Sequence, residues 1–103
     1  MEPRRRPRAP YKGWVEIVCQ GRRVRAEGHD LSVDGIGLAF APDEAEVADA
    51  IVSEFALPGI ALPLELSGQL VWSDREGCRA GIRFDDVDAG LAELLSNFVA
   101  GRL

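Results

Sequence analysis

Asp30-Leu31-Ser32-Val33-Asp34-Gly35, running on into Ile36-Gly37-Leu38-Ala39-Phe40, is the stretch that decides the fold. It reads as the end of one strand, a polar turn and the start of the next. Asp-Gly is a strong hairpin signal, because both residues tolerate the left-handed backbone that tight hairpin turns demand. Asp30 and Ser32 stand two apart, which in an extended segment places a carboxylate and a hydroxyl on one face.

Strand patterning continues outward on both sides. Upstream, Val15, Ile17 and Cys19 alternate with Trp14, Glu16 and Val18. After a turn at Gln20-Gly21-Arg22, Val24, Ala26 and Gly28 alternate with Arg25, Glu27 and His29. Downstream, Ile51, Ser53, Phe55 and Leu57 form a further alternating run. The cleanest run follows in Leu64, Leu66, Gly68, Leu70 and Trp72, and Ala80, Ile82 and Phe84 give a last one. Alternation of period two is the signature of a half-buried strand. The acid-rich segment 41–50 reads as one helical turn or an irregular loop. Leu91, Leu94, Leu95, Phe98 and Val99 then recur at three- and four-residue spacing, with Asp85 to Asp88 supplying an N-cap. That spacing predicts an amphipathic helix at about 88–102. Six short strands followed by one helix predict an all-β fold, a six-stranded antiparallel β-barrel with a C-terminal α-helix across one opening.

The 103 residues fit one domain with a real core. No apolar run approaches the roughly 20 residues of a membrane span. The basic N-terminus lacks the apolar stretch of a secretory signal. Cys19 and Cys78 are far apart and read as reduced thiols of a cytoplasmic protein. The net charge of −5 hides an asymmetry. Residues 1–12 hold five basic side chains against one acidic, and the rest of the chain holds seven against sixteen, so an arm of +4 precedes a body of −9. Such a body repels nucleic acid and anionic membrane, and the arm must meet any anion. With three Pro and four Arg in its first ten residues, the arm buries too little to order itself. Residues 1–12 are therefore read as a flexible basic arm and 13–103 as the barrel domain.

The inventory for catalysis is thin. His29 is the single histidine and has no partners at metal-ligand spacing; it reads as a satisfied or solvent-facing side chain. No G-x-S-x-G surrounds any serine, and Gly35-Ile36-Gly37 lacks the third glycine of a dinucleotide fingerprint. Asp30-x-Ser32-x-Asp34-Gly35 imitates the start of a calcium loop, but its twelfth position is Ala41 where a bidentate Glu is required. No catalytic residue, metal site or cofactor is assigned. The arginines are more informative, since a guanidinium fork suits phosphate oxygens and the N7/O6 edge of guanine.

The two elements, in this order, resemble a PilZ domain. Arg4-Arg5-Arg6-Pro7-Arg8 matches the family's R-x-x-x-R motif, and Asp30-Leu31-Ser32-Val33-Asp34-Gly35 matches [DN]-x-S-x-x-G in full. Gly68-Gln69-Leu70-Val71-Trp72, Arg79-Ala80-Gly81-Ile82-Arg83-Phe84 and the Leu-rich segment after them resemble the family's closing strands and helix. The resemblance implies a non-catalytic receptor for cyclic di-GMP, a bacterial second messenger, often bound as an intercalated pair. It implies that Arg4 and Arg8 grip guanine and phosphate, that Arg5 assists, and that Asp30 and Ser32 hydrogen-bond a guanine edge or phosphate. Gly35 would permit the turn and a close approach. An arm ordered over the ligand would signal to an unidentified downstream protein, with neither nucleic acid nor membrane as partner. The alternative is a ligand-independent PilZ-like adaptor that only binds proteins.

Overall fold

A computed structural model of the chain describes residues 7–39, 50–74, 76 and 79–102. Arg4, Arg5, the segment 41–49 and Cys78 lie outside the described residues. The elements are β1 (Ala9–Pro10), β2 (Trp14–Cys19), β3 (Arg22–Leu31), β4 (Gly35–Leu38), β5 (Ala50–Phe55), β6 (Leu64–Asp74), β7 (Arg79–Phe84) and α1 (Ala89–Val99). Strands β2 to β7 run in the order β3-β2-β5-β6-β7-β4, every pairing is antiparallel, and β4 pairs back onto β3. That last pairing closes the six-stranded barrel and leaves it without open edges.

Alternation decides which side chains fill the interior. Val15, Ile17, Ala26, Ile51, Phe55, Leu64, Leu66, Ile82 and Phe84 are all buried, in the phase read from the sequence. The β2–β3 hairpin turns on two residues, Gln20 (φ 53°) and Gly21 (φ 76°). Two left-handed residues in a two-residue loop match the twist of the flanking strands. The Asp34-Gly35 turn was expected to use the same device, and it does not. Neither residue has positive φ; hydrogen bonds described below hold that turn instead.

The barrel begins before residue 13. Ala9 and Pro10 pair with Leu31 and Asp30 of β3, the Tyr11 N–H donates to the His29 carbonyl (3.1 Å), and the Gly28 N–H donates to the Gly13 carbonyl (2.8 Å). Tyr11, assigned to the arm from sequence, is a core residue with 5 % exposure. Its ring meets Phe55 and Phe98 edge-on at 5.6 and 5.9 Å, and its hydroxyl donates to the Ala56 carbonyl at 2.6 Å. An aromatic ring with a satisfied hydroxyl outweighs the charge of the neighbouring segment, and residues 9–11 therefore join the body.

Helix α1 starts where the sequence places it. The Asp88 side chain accepts from the Leu91 N–H at 2.9 Å, a normal N-cap. The helix ends at Val99, where Gly101 takes φ 74° and the Gly101 and Arg102 amides bond back to the Phe98 and Asn97 carbonyls. This is the Schellman closure that a left-handed glycine permits. Leu95 is fully buried, and Leu91, Leu94 and Phe98 pack on the core.

Candidate functional site

Two irregularities in the barrel build the site. In β3 the register shifts between Gly28, opposite Leu38, and Asp30, opposite Gly37, so that His29 is an extra residue. In β6 it shifts between Leu70, opposite Ile82, and Trp72, opposite Gly81, so that Val71 is extra. Strict alternation from buried Ala26 and Gly28 would point Asp30 inward, and alternation from Leu66, Gly68 and Leu70 would do the same to Trp72. Each bulge reverses the phase, as bulges do when they re-aim a side chain. Leu31, not Asp30, fills the core, and the Trp72 indole is 47 % exposed.

The outcome is a row across four neighbouring strands: Asp30 on β3, Gly37 on β4, Gly81 on β7 and Trp72 on β6. Its two middle positions carry no side chain. A Cβ on Gly37 would lie 2.5 Å from Asp30 Oδ1, and one on Gly81 would collide with the Trp72 indole. The carboxylate and the indole thus lean inward over bare backbone from opposite ends. In the next row, Gly35 pairs with Arg83 and Arg83 with Gln69. The Arg83 guanidinium donates to Gln69 Oε1 at 3.1 Å. A groove of about 290 Å³ runs here between Arg8, Asp34, Trp72 and Arg83, with Gly35 and Gly81 in its wall.

Arg8 reaches the groove because β1 holds its backbone against β3. Its Nε–H donates to Asp30 Oδ1 at 3.0 Å, and Nη2 lies 2.9 Å from the same oxygen as an ion pair. Both side chains are partly exposed, at 39 % and 29 %. A pair of that kind contributes about 1 kcal/mol or less, so it orients the guanidinium without locking it. A guanidinium has five N–H donors, and the hydrogen bond to Asp30 engages only the Nε–H.

Ser32 is placed differently from the sequence expectation. β3 ends at Leu31, so Ser32 no longer shares a strand face with Asp30. It is fully buried. Its hydroxyl donates to Asp34 Oδ1 at 2.6 Å and accepts from the Asp34 N–H at 3.3 Å, while its own N–H donates to the Gly35 carbonyl at 2.9 Å. This network is what shapes the turn, and it leaves Ser32 no surface for a ligand in this conformation. Gly35 is needed for a close approach: a Cβ there would sit 2.5 Å from the Ile82 carbonyl oxygen. His29 is exposed, and its Nε2 lies 2.9 Å from an Arg79 Nη1 donor, so it is a satisfied side chain. Sequence reasoning missed Gly37, Trp72, Gly81 and Arg83. Trp72 was read as inward-facing, and the one available signal was the large Val71-Trp72 pair at the end of a clean alternation.

Among the described residues no group of His, Cys, Asp or Glu side chains is placed to hold a metal ion. No described helix is long and apolar enough to cross a membrane. The family model described as PilZ domain matches residues 2–101. No curated protein matches the chain. Among solved structures, the PilZ domain of CeSA from a cellulose-synthesising bacterium is 18% identical with a TM-score of 0.70, over 91% of this chain and 95% of that one. The Bacillus subtilis inhibitor of motility (MotI/DgrA) is 16% identical with a TM-score of 0.74, over 99% of this chain and 52% of that one. The PilZ domain of YcgR from Escherichia coli, solved with c-di-GMP, is 18% identical with a TM-score of 0.72, over 97% and 91%. At these identities the likeness shows a shared fold.

Proposed function

The chain belongs to the PilZ domain family, and from that premise we propose that it is a cyclic di-GMP receptor whose arginine arm closes over the ligand. One observation carries the reading. The two motifs that lie 22 residues apart in sequence meet in space, with the Arg8 guanidinium bonded to the Asp30 carboxylate at the edge of the groove. A cyclic dinucleotide offers two phosphates and two guanines. The Arg8 donors that Asp30 does not engage suit phosphate oxygens or a guanine N7/O6 edge. The second Asp30 oxygen suits the guanine N1–H and amino donors. Arg83, steadied by Gln69, adds a further cation to the same groove.

The arm supplies affinity at an entropic cost. Ordering a residue costs about 1–2 kcal/mol, and each bidentate guanine contact contributes about 1–3 kcal/mol. Because β1 and Tyr11 already hold residues 9–11, that cost is confined to the chain before them. Arg4 and Arg5 are the partners assigned to Arg8 on that segment. The closed arm changes the charge and shape of one barrel face, which a downstream protein reads. The function is thus binding and relay, carried out without a catalytic group or cofactor, in the cytoplasm where the nucleotide signal is made and read.

Calorimetric titration of the full chain with cyclic di-GMP tests the reading. Saturable heat is expected, with the stoichiometry distinguishing one bound molecule from an intercalated pair. Arg8→Ala is expected to weaken binding by about 5- to 150-fold, the effect of losing one bidentate contact of about 1–3 kcal/mol. Absence of heat for the unaltered chain at high micromolar nucleotide overturns the receptor assignment and leaves a ligand-independent adaptor.

A further inference from the structure

We propose that a second groove, between residues 10–14, the β5–β6 loop and the end of α1, docks a segment of another protein that carries a bulky apolar side chain flanked by carboxylates. The inference goes beyond nucleotide binding, and rests on the receptor reading only in taking that protein to be the downstream partner. Among the described residues, the large apolar side chains left exposed fall in two places. Val71 and Trp72 border the groove beside Arg8. Trp14 (62 % exposed) and Leu62 (77 %) lie elsewhere, Trp14 on β2 and Leu62 in the loop between β5 and β6. That loop, Ala56-Leu57-Pro58-Gly59-Ile60-Ala61-Leu62-Pro63, contains no polar side chain. A surface connection is ordinarily built of polar turn residues that water solvates. This one is held by its backbone instead. Gly59 takes φ 77° after Pro58, and the Ile60 N–H donates to the Leu57 carbonyl at 3.1 Å, the pattern of a type II turn. Leu57 and Ile60 anchor the loop on the core. An apolar loop fixed in shape and left in water marks an interaction surface.

The groove beside this loop has a volume of about 700 Å³. Pro10, Trp14, Pro58 and Phe98 give it apolar walls, and Lys12 is the one charged side chain that lines it. The Arg25 guanidinium, 5.5 Å from the Trp14 ring centroid, adds a second cation at the rim. Glu27, opposite Trp14, offsets one of the two. The rim thus stays positive on a body whose net charge is −9. That local inversion decides among occupants. A second copy would bring the same cationic rim against its own, because an isologous interface uses one patch twice. An anionic membrane is repelled by the body, and one lysine contributes only about 1 kcal/mol of attraction. An acidic segment with an apolar anchor satisfies both features, its side chain filling the groove and its carboxylates meeting Lys12 and Arg25. A partner seated here also touches the segment from which the arginine arm extends.

The test presents a phage library of random dodecapeptides to the immobilised full chain without nucleotide. Enrichment of peptides with a Leu, Phe or Trp flanked by Asp or Glu is expected. A synthetic peptide of the enriched sequence is then titrated calorimetrically. Trp14→Ala, at an exposed position, is expected to weaken it about tenfold, the loss of one aromatic anchor. Lys12→Glu, also exposed, is expected to weaken it and to flatten its salt dependence. Lack of enrichment, or enrichment of peptides with basic flanks, overturns the proposal, as does equal affinity of either variant and the unaltered chain. Concentration-dependent dimers in sedimentation that Trp14→Ala abolishes would assign the groove to a second copy. Flotation with phosphatidylglycerol vesicles that Trp14→Ala abolishes would assign it to a membrane, and either result overturns the partner named here. The titration with cyclic di-GMP is independent of all these readouts, so the docking site and the receptor fail separately.

Discussion

Replacing Ser32 with alanine separates two meanings of the same motif position. The resemblance makes Ser32 a ligand contact, whereas the geometry makes it the organiser of a turn. In the fold its hydroxyl donates to Asp34 Oδ1 at 2.6 Å and accepts a longer bond from the Asp34 N–H at 3.3 Å. A hydrogen bond to a carboxylate contributes about 1.5–3 kcal/mol. Asp34 is exposed, and water takes over part of what it loses, which places the cost near the lower bound, about 1.5 kcal/mol. The Ser32 N–H keeps its bond to the Gly35 carbonyl, so the turn loosens without being abolished. For a domain of this size, that loss corresponds to a Tm lowered by about 6–12 °C. Thermal denaturation without nucleotide, read by circular dichroism, measures it directly. If Ser32→Ala leaves the Tm unchanged and still abolishes nucleotide binding, the hydroxyl touches the ligand and the structural reasoning is wrong.

Two further outcomes concern the core. Burial raises the Tyr11 phenol above its ordinary value of 10.0, so above that pH the folded chain holds a proton that the unfolded chain has released. The associated stability is fully present below pH 10.0 and declines as the pH rises through the folded-state value; because the chain has one tyrosine, tyrosinate absorbance follows this group alone, and Tyr11→Phe is expected to remove the alkaline decline. The Ser53 hydroxyl is fully buried without a hydrogen-bond partner, so Ser53→Ala is expected to raise unfolding stability by up to about 1 kcal/mol, and a loss of stability in urea titration would refute that account.

Much of the barrel was legible because period-two alternation records which side faces the core. Val15, Ile17, Phe55, Leu64 and Ile82 occupy the interior as their spacing required. What alternation cannot record is a single extra residue. His29 and Val71 each add one, and both site side chains downstream of them, Asp30 and Trp72, face the other way from where the pattern puts them. The Asp34-Gly35 turn was located correctly but explained by the wrong device. A left-handed pair and a serine-centred network both favour short polar residues, so composition alone does not distinguish them. Tyr11 was lost to the arm because its local surroundings are basic and proline-rich, whereas its partners, Phe55, Ala56 and Phe98, are distant in sequence. Arg8 and Asp30 were legible only as members of two separate motifs, and it is the fold that brings the two side chains into contact.

The anchorage of Tyr11 turns the arm into a ruler. With that ring fixed at the mouth of the barrel, Arg8 stands three positions upstream, within about 10 Å of chain. Length and phase then matter alongside charge. One residue inserted between Arg8 and Tyr11 would rotate the guanidinium to the opposite side of the pleat, away from Asp30, while leaving every arginine in place. Two inserted residues would restore the phase but shift the guanidinium along β3. The count of residues between Arg8 and Tyr11 is therefore as constrained in this architecture as the arginine itself.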